Sequence, residues 1–193
     1  MDSSQILIRR YRQGKRDFSE AELGGTDLSR ADLRGIDLSR ADLSGANLVG
    51  ANLSNANLSG TDLSGTDLSI AHLSKSDLSG ANLSHARLSS HEWGAAFLDG
   101  ANLSGANLSH TNLFMVDLSG VDLSRADLSD ASLIGVNLSE ADLTDANLEG
   151  ANVTNEQLAQ AKSLVGATLP DGTKTSQKKE KVTPKRRWQF WKK

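Results

Sequence analysis

The chain has 193 residues and a formal net charge of −3, and it contains no cysteine. Its length suits one domain with short terminal additions, and the lack of cysteine excludes disulfides and thiolate metal sites. No segment approaches the ~18–20 consecutive apolar residues of a transmembrane helix, and the N-terminus lacks the apolar run of a signal peptide. We therefore expect a cytoplasmic chain.

The first residues predict a short helix. Ser3 or Ser4 can cap its start, and Gly14 can stop it just after Gln13. We assign residues 1–17 to an N-terminal capping helix. Its apolar side would be supplied by Ile6, Leu7, Ile8 and Tyr11.

Residues 18–153 repeat a five-residue unit without insertion or deletion, as in the unit 41–45, Ala-Asp-Leu-Ser-Gly. Leu stands at the centre of 25 of the 28 units, and Asp or Asn precedes the centre in 22 of them. A period of five matches neither the 3.6-residue period of a helix nor the two-residue alternation of a strand. If every central residue is buried, the chain must turn a corner once per unit, with a small residue packed beside each Leu. Such a chain is a solenoid whose coils satisfy each other's backbone hydrogen bonds.

This unit, Ala-(Asp/Asn)-Leu-Ser-X, resembles that of the pentapeptide-repeat family, and the resemblance covers residues 18–153. It implies an all-β fold, a right-handed quadrilateral β-helix with four units per 20-residue coil, so that the 28 units make about seven coils. At a strand spacing of about 4.8 Å the tube would be roughly 34 Å long. Residues twenty apart would then be vertical neighbours, and both ends of the tube would need capping elements.

The consensus fails repeatedly between residues 89 and 115, where Trp93 replaces a central Leu. On the four-sided tube, Phe114 and Ile134 occupy the same outward position on successive coils. These deviations predict an exposed apolar patch, and such patches often mark interaction sites. Neutral drift is the alternative, because single apolar residues are common on surfaces. The predicted patch consists of His91, Trp93, Phe97, Phe114, Met115 and Ile134.

Acidic side chains dominate the other outward positions, since residues 1–170 carry twelve Lys/Arg against 22 Asp/Glu, a net charge of −10. One outward column stacks Asp42 and Asp62, then two Asn, then Asp122 and Asp142, and the Asn would relieve like-charge repulsion. The simpler interpretation is that Asp and Asn bond local backbone at each corner and keep the rod soluble. The alternative is DNA mimicry, because members of the resembled family that protect or inhibit DNA gyrase resemble a duplex in width and negative charge.

A capping-box pattern at Thr154 and Gln157 predicts a second helix over about Asn155–Ser163. We expect this helix to bury Leu158 and Leu164 and to cap the C-terminal end of the tube. The corresponding segment is residues 154–170.

Residues 171–193 carry nine Lys/Arg against two Asp/Glu, a net charge of +7, and we interpret them as a disordered tail. Three aromatic residues at its tip are flanked by basic residues, a combination suited to an anionic membrane surface. A protein partner or the acidic rod itself could also bind the tip, whereas direct nucleic-acid binding is the less favoured interpretation. The tip residues are Lys185, Arg186, Arg187, Trp188, Phe190, Trp191, Lys192 and Lys193.

The repeats contain no Ser-His-Asp arrangement, phosphate-binding loop or metal-ligand spacing, so we expect no enzyme activity, no cofactor and no metal site. We expect a non-catalytic scaffold, a rigid acidic rod that presents one surface to an unidentified protein partner. The tail would tether it at the inner face of a membrane. The alternative is a DNA-mimicking regulator of DNA gyrase.

Overall fold

The computed structural model of the chain describes residues 2–88 and 96–176. They form a four-sided solenoid between two short helices, α1 at Ser3–Arg12 and α2 at Asn155–Leu158. Within these residues no strand is longer than a single-residue bridge, because the chain turns a corner once per five residues.

From residue 17 to residue 152, parallel bridges join successive coils at an offset of 20 residues, as in Asp17 with Asp37, Asp37 with Asn57 and Asn57 with Asp77. This register confirms the implied coil of four units. We number the faces of the tube by their inward residues in the first coil. Face 1 contains Phe18, face 2 contains Leu23, face 3 contains Leu28 and face 4 contains Leu33.

Every amide of a standard unit is satisfied, which explains the composition of the repeat. Three amides bond the neighbouring coils, one closes the turn to the preceding unit, and the fourth residue's amide donates to the Asp or Asn side chain. In the unit 41–45 the bonds run from Ala41 N to Leu38 O (3.0 Å), Asp42 N to Ala21 O (2.9 Å), Leu43 N to Asp62 O (2.8 Å), Ser44 N to Asp42 Oδ1 (2.8 Å) and Gly45 N to Ser64 O (2.8 Å).

Between residues 20 and 150, the last residue of each unit in the described part of the chain lies at a corner and has a positive φ, for example 63° at Gly45 and 59° at Glu20. A four-residue turn with positive φ at its third position favours Gly or Asn there. This conformational demand accounts for the Gly that ends so many units.

The core consists of the stacked central Leu side chains, which are fully buried, together with the small residues beside them. Each buried Leu contributes about 1.5–3 kcal/mol. The buried hydroxyls are also satisfied, since Thr61 donates to Leu38 O at 2.8 Å and Thr66 donates to Leu43 O at 3.0 Å.

Helix α1 covers the N-terminal end and buries Leu7. Its N-cap is Asp2, whose Oδ1 accepts from Gln5 N at 2.8 Å, so the prediction of a cap at Ser3 or Ser4 is wrong. The Ser4 hydroxyl instead donates to Asp2 at 2.7 Å, because a carboxylate is the stronger acceptor. Tyr11 fixes the helix to the tube by donating to Arg34 O at 2.8 Å.

Helix α2 begins with the predicted capping box of Thr154 and Gln157, and it buries Leu158. It ends at Leu158 rather than near residue 163, so the predicted length is wrong. The chain resumes the coil, with Lys162 N donating to Ala141 O at 2.9 Å. The next two bridges have an offset of 21 residues, because one extra residue accommodates the helical turn.

An antiparallel hairpin closes the C-terminal end. Thr168 pairs with Lys174, and Leu169 N donates to Thr173 O at 2.7 Å. Thr175 N donates to Ala167 O at 2.9 Å, and the Ala167 side chain is buried. The fold therefore includes residues 171–176, which lie past the boundary between residues 170 and 171 that composition indicates.

Candidate interaction surfaces

Four residues of the predicted apolar patch lie in the described part of the chain, and all four are exposed. Phe114 and Ile134 occupy the same position on face 4 in successive coils, because Asn112 bridges Ser132. Met115 follows at the corner between faces 4 and 1. Phe97 lies on face 1, 20 residues before Asp117, which follows Met115 across that corner. The exposed fractions are 62% for Phe97, 55% for Phe114, 70% for Met115 and 47% for Ile134.

Met115 lies against the next coil. Its amide donates to Ile134 O at 3.1 Å, and a Cβ added to Gly135 would lie 3.3 Å from Met115 Cγ. The Met115 side chain therefore extends over Gly135, the residue after Ile134, and Phe114, Met115 and Ile134 lie on neighbouring positions of two successive coils.

The patch residues stand where the repeat prefers other side chains. Phe97 replaces the Asp or Asn of its unit, and the Asp99 amide has no acceptor among the described residues, whereas one coil earlier Ser79 N donates to Asp77 Oδ1 at 2.9 Å. Met115 occupies a corner position with φ of 58°, which favours Gly. The apolar surface thus forms at the expense of local backbone stability.

His91 and Trp93, the other two predicted patch residues, lie outside the described residues, as does the whole tip of the tail. Sequence reasoning missed a further exposed residue, Ile70, which is 59% exposed at the corner between faces 3 and 4. The available signal was an isoleucine at the end of a unit, where Gly and polar residues prevail.

Charge is distributed unevenly around the tube. Among the described residues, face 4 carries Asp32 against Arg34 and Lys75, and this charge-poor face bears most of the patch. Face 1 carries seven acidic residues against two Arg, and face 2 carries six against one Arg. The acidic residues are Asp17, Glu20, Asp37, Asp77, Asp99, Asp117 and Glu140 on face 1, and Glu22, Asp42, Asp62, Asp122, Asp142 and Asp145 on face 2.

The acidic column on face 2 is held by local hydrogen bonds. The hydroxyl and amide of Ser44 hold the pKa of Asp42 below its ordinary value of 3.8, so this carboxylate stays ionised. Asn102 Nδ2 donates to Asn82 Oδ1 at 3.3 Å, and Asn82 Nδ2 donates to Asp62 Oδ1 at 3.1 Å. The two amides thus replace like-charge repulsion with hydrogen bonds.

The described residues contain no group of three His, Cys, Asp or Glu that could hold a metal ion. In the same residues no helix is both long and apolar enough to cross a membrane. Two shallow grooves lie in these residues, one at the C-terminal end of the tube beside Asp130 and Glu149 and one on α1.

Comparison with known families gives a match to the model described as pentapeptide repeats, in eight copies. The match confirms the fold class indicated by the sequence, a right-handed quadrilateral β-helix. A comparison with curated proteins gives no match. The matched residues are 17–55, 36–74, 51–89, 94–125 and 117–155.

Several solved structures are similar to this chain. HetL from the cyanobacterium Nostoc sp. strain PCC 7120, a pentapeptide repeat protein involved in heterocyst differentiation regulation, is 32% identical, with 91% of this chain and 100% of HetL covered and a TM-score of 0.45. QnrB1, a plasmid-mediated fluoroquinolone resistance protein, is 21% identical, with 83% and 92% covered and a TM-score of 0.44. Rfr23 from the cyanobacterium Cyanothece 51142 is 26% identical, with 68% and 93% covered and a TM-score of 0.33.

Proposed function

This chain belongs to the pentapeptide-repeat family, and from that premise we propose that it is a non-catalytic binding protein, an acidic rod that presents the patch on face 4 to a protein partner. The observation that carries this proposal is the cluster of Phe114, Met115 and Ile134, continued by Phe97 across the corner, on the face with the fewest charges.

The composition of the patch supports a protein partner. The buried centres of protein interfaces are enriched in aromatic residues and Met and depleted of charged residues. Four half-exposed side chains of this size offer about 400 Å², which is within the range of the largest patches on monomers and below the ~800 Å² that a stable interface needs on each side. The patch would therefore be the energetic centre of a larger, more polar contact.

Affinity capture from the source cells tests the proposal. The double variant Phe114→Ser/Ile134→Ser should lose a partner that the unchanged chain retains, because truncating central apolar residues costs ≥2 kcal/mol at such interfaces. The control is Ile70→Ser, which removes an exposed isoleucine outside the patch. Retention of every captured protein by the double variant would count against the patch.

The tail supports a second part of the proposal, a reversible tether to an anionic membrane. Each Lys or Arg near an anionic surface contributes about 1 kcal/mol, and residues 185–193 combine five basic residues with Trp188, Phe190 and Trp191. A peptide of residues 174–193 should bind anionic vesicles at low salt and be released at high salt. If the peptide ignores these vesicles, the tail has no such role.

A second candidate function is regulation of DNA gyrase by DNA mimicry. The acidic columns of faces 1 and 2 favour it, because they place ordered carboxylates along the length of the rod. A supercoiling assay with purified gyrase separates the two functions. Inhibition or protection at micromolar protein that is lost on changing Asp42 and Asp62 to Asn would support mimicry, and no effect would oppose it.

A further inference from the structure

The N-terminal end of the rod is a cationic surface. Residues 1–16 carry five Lys/Arg against one Asp, a net charge of +4, whereas residues 17–170 carry seven Lys/Arg against 21 Asp/Glu, a net charge of −14. The opposite charges meet at the junction between the capping segment and the first coil. This end therefore differs in kind from the acidic tube that it closes.

Helix α1 sorts its side chains into two faces. Ser4 and Leu7 are buried against the tube, with Ile8 and Tyr11 half-buried beside them. The outward face is a shallow groove whose apolar member is 39% exposed. The residues that line it are Ile6, Arg9, Arg10 and Gln13.

The three arginines of α1 have no acidic partner in the described part of the chain. Among the described residues, the guanidinium groups of Arg9, Arg10 and Arg12 make no ion pair or hydrogen bond, whereas on the tube Arg34 pairs with Asp32 at 2.8 Å. Asp2, the one carboxylate of residues 1–16, already caps the helix. The helix macrodipole favours cations in the last turn, but it gives no reason for an exposed isoleucine among them.

We propose that the outward face of α1 docks on an anionic lipid surface. Arginine binds phosphate and carboxylate groups with two parallel hydrogen bonds, and Ile6 would enter the headgroup region between the guanidinium groups. A nucleic-acid backbone would satisfy the arginines and leave the isoleucine without a role. The proposal does not depend on the tail or on the patch of face 4.

Docking through the N-terminal end of the rod also keeps most of its acidic residues away from the anionic lipid. Repulsion between an anionic surface and the acidic rod is screened beyond a Debye length of about 8 Å at physiological salt. Because coils are about 4.8 Å apart, the coils beyond the first two lie outside that distance. A contact along the side of the rod would instead bring many carboxylates against the lipid.

The test uses the full-length chain and vesicles of phosphatidylcholine with and without phosphatidylserine at physiological salt, where the Debye length is about 8 Å. The variant Arg9→Gln/Arg10→Gln/Arg12→Gln should bind the anionic vesicles at least about tenfold more weakly, since each cation near such a surface strengthens binding about fivefold. The matched control, Lys75→Gln/Arg87→Gln/Arg125→Gln, removes the same charge from the rod and should bind within about twofold of the unchanged chain. Equal losses in the two variants would overturn the proposal, because net charge alone would then control binding.

Two further measurements distinguish an anionic lipid surface from nucleic acid as the ligand of α1. Ile6→Gln should weaken vesicle binding at unchanged charge, which purely electrostatic attraction would not do. If the chain binds short duplex DNA more tightly than the vesicles, and the α1 variant loses that binding, the occupant is nucleic acid and the lipid proposal fails.

A tail variant, Trp188→Ala/Trp191→Ala, separates this site from the proposed tether. The α1 substitutions should still weaken binding in that background. If the tail variant alone abolishes vesicle binding and the α1 variant retains it, the α1 site is refuted while the tether stands. Unchanged circular dichroism confirms that each variant is folded.

Discussion

The residue that precedes each central Leu carries a specific backbone function. Its side chain accepts from the amide two residues later, the one amide of the unit that the coil and the turn leave free. Most units therefore carry Asp or Asn there, and a replacement such as Phe97 leaves an amide to water. The sequence predicts this hydrogen bond as the simpler meaning of the Asp column, and the structure contains it. The choice of Asp2 over Ser3 or Ser4 as the cap of α1 was harder to predict, because all three are good capping residues.

Phe97→Asn should raise the stability of the rod. The new side chain can accept from the Asp99 amide, as Asn57 does from Ser59 N at 3.1 Å, and such a bond is worth about 0.5–1.5 kcal/mol. Chemical denaturation measures the change, and Asp77→Ala, which deletes the equivalent bond one coil earlier, should show the opposite sign. A destabilised Phe97→Asn would mean that Phe97 contributes to the fold itself. If the patch has the proposed role, this variant should also bind the partner more weakly.

Ile70→Asn should also be stabilising. Ile70 is β-branched and has φ of 51°, a region that costs an L-residue other than Gly, Asn or Asp roughly 1–2 kcal/mol. The converse change, Gly45→Ile, should destabilise by a similar amount, because Gly45 has φ of 63° and its added Cβ would meet no atom within 4 Å. Thermal unfolding of both variants checks the pair, and changes of the same sign would contradict a conformational origin.

At the scale of elements, the five-residue repeat predicts the coils of the tube, whereas the sequence does not predict the full structure of the capping elements at its ends. The offset of 20 residues follows once each coil contains four units. The family resemblance supplies the number four, which the five-residue period alone does not give. Helix α2 is shorter than its sequence suggests because Lys162 and Ser163 bond back to the last full coil. Helical propensity reports nothing of that tertiary pairing, and composition likewise does not reveal that Lys174 pairs with Thr168.

The coils should lose stability in acid. Hydrogen bonds from Ser hydroxyls and amides hold the pKa values of Asp17, Asp27, Asp42 and Asp117 below 3.8 in the folded chain. The contribution of these carboxylates to the stability of the fold is therefore complete above their pKa in the unfolded chain. It is lost as the pH falls through their lower pKa in the folded chain. Thermal midpoints between about pH 5 and pH 2 should fall. The four-site Asp→Asn variant keeps the acceptor oxygens without the charge, so its midpoint should fall less, and an equal fall in both proteins would contradict this assignment.

At the scale of the whole molecule, the rod has distinct sides and ends. Faces 1 and 2 are acidic, face 4 is charge-poor and bears the exposed apolar residues, and α1 is cationic. The sequence predicts Phe97, Phe114, Met115 and Ile134 as one surface because their spacing is read against a 20-residue coil. The sequence analysis does not identify the arginines of α1 as a surface. Their positive charge is outweighed in the net charge of residues 1–170, and only the fold shows that they lie together at one end of the rod.

The core should tolerate no loss of a central Leu. Leu103→Ala in the middle of the tube should destabilise by about 2–5 kcal/mol, because a close-packed axial column cannot collapse around the missing atoms. Ser104→Ala on the outward side of the same unit should change stability by less than about 0.5 kcal/mol. Similar effects of the two substitutions on the denaturation midpoint would contradict the inward and outward assignment.

Site-specific photo-crosslinking in the source cells tests the central claim most directly. A photoreactive residue at position 114 should join the chain to one predominant protein, and the same residue at Ser64, on acidic face 2, should not. Crosslinks from position 64 alone, or from neither position, would contradict a rod that works through the apolar surface of face 4.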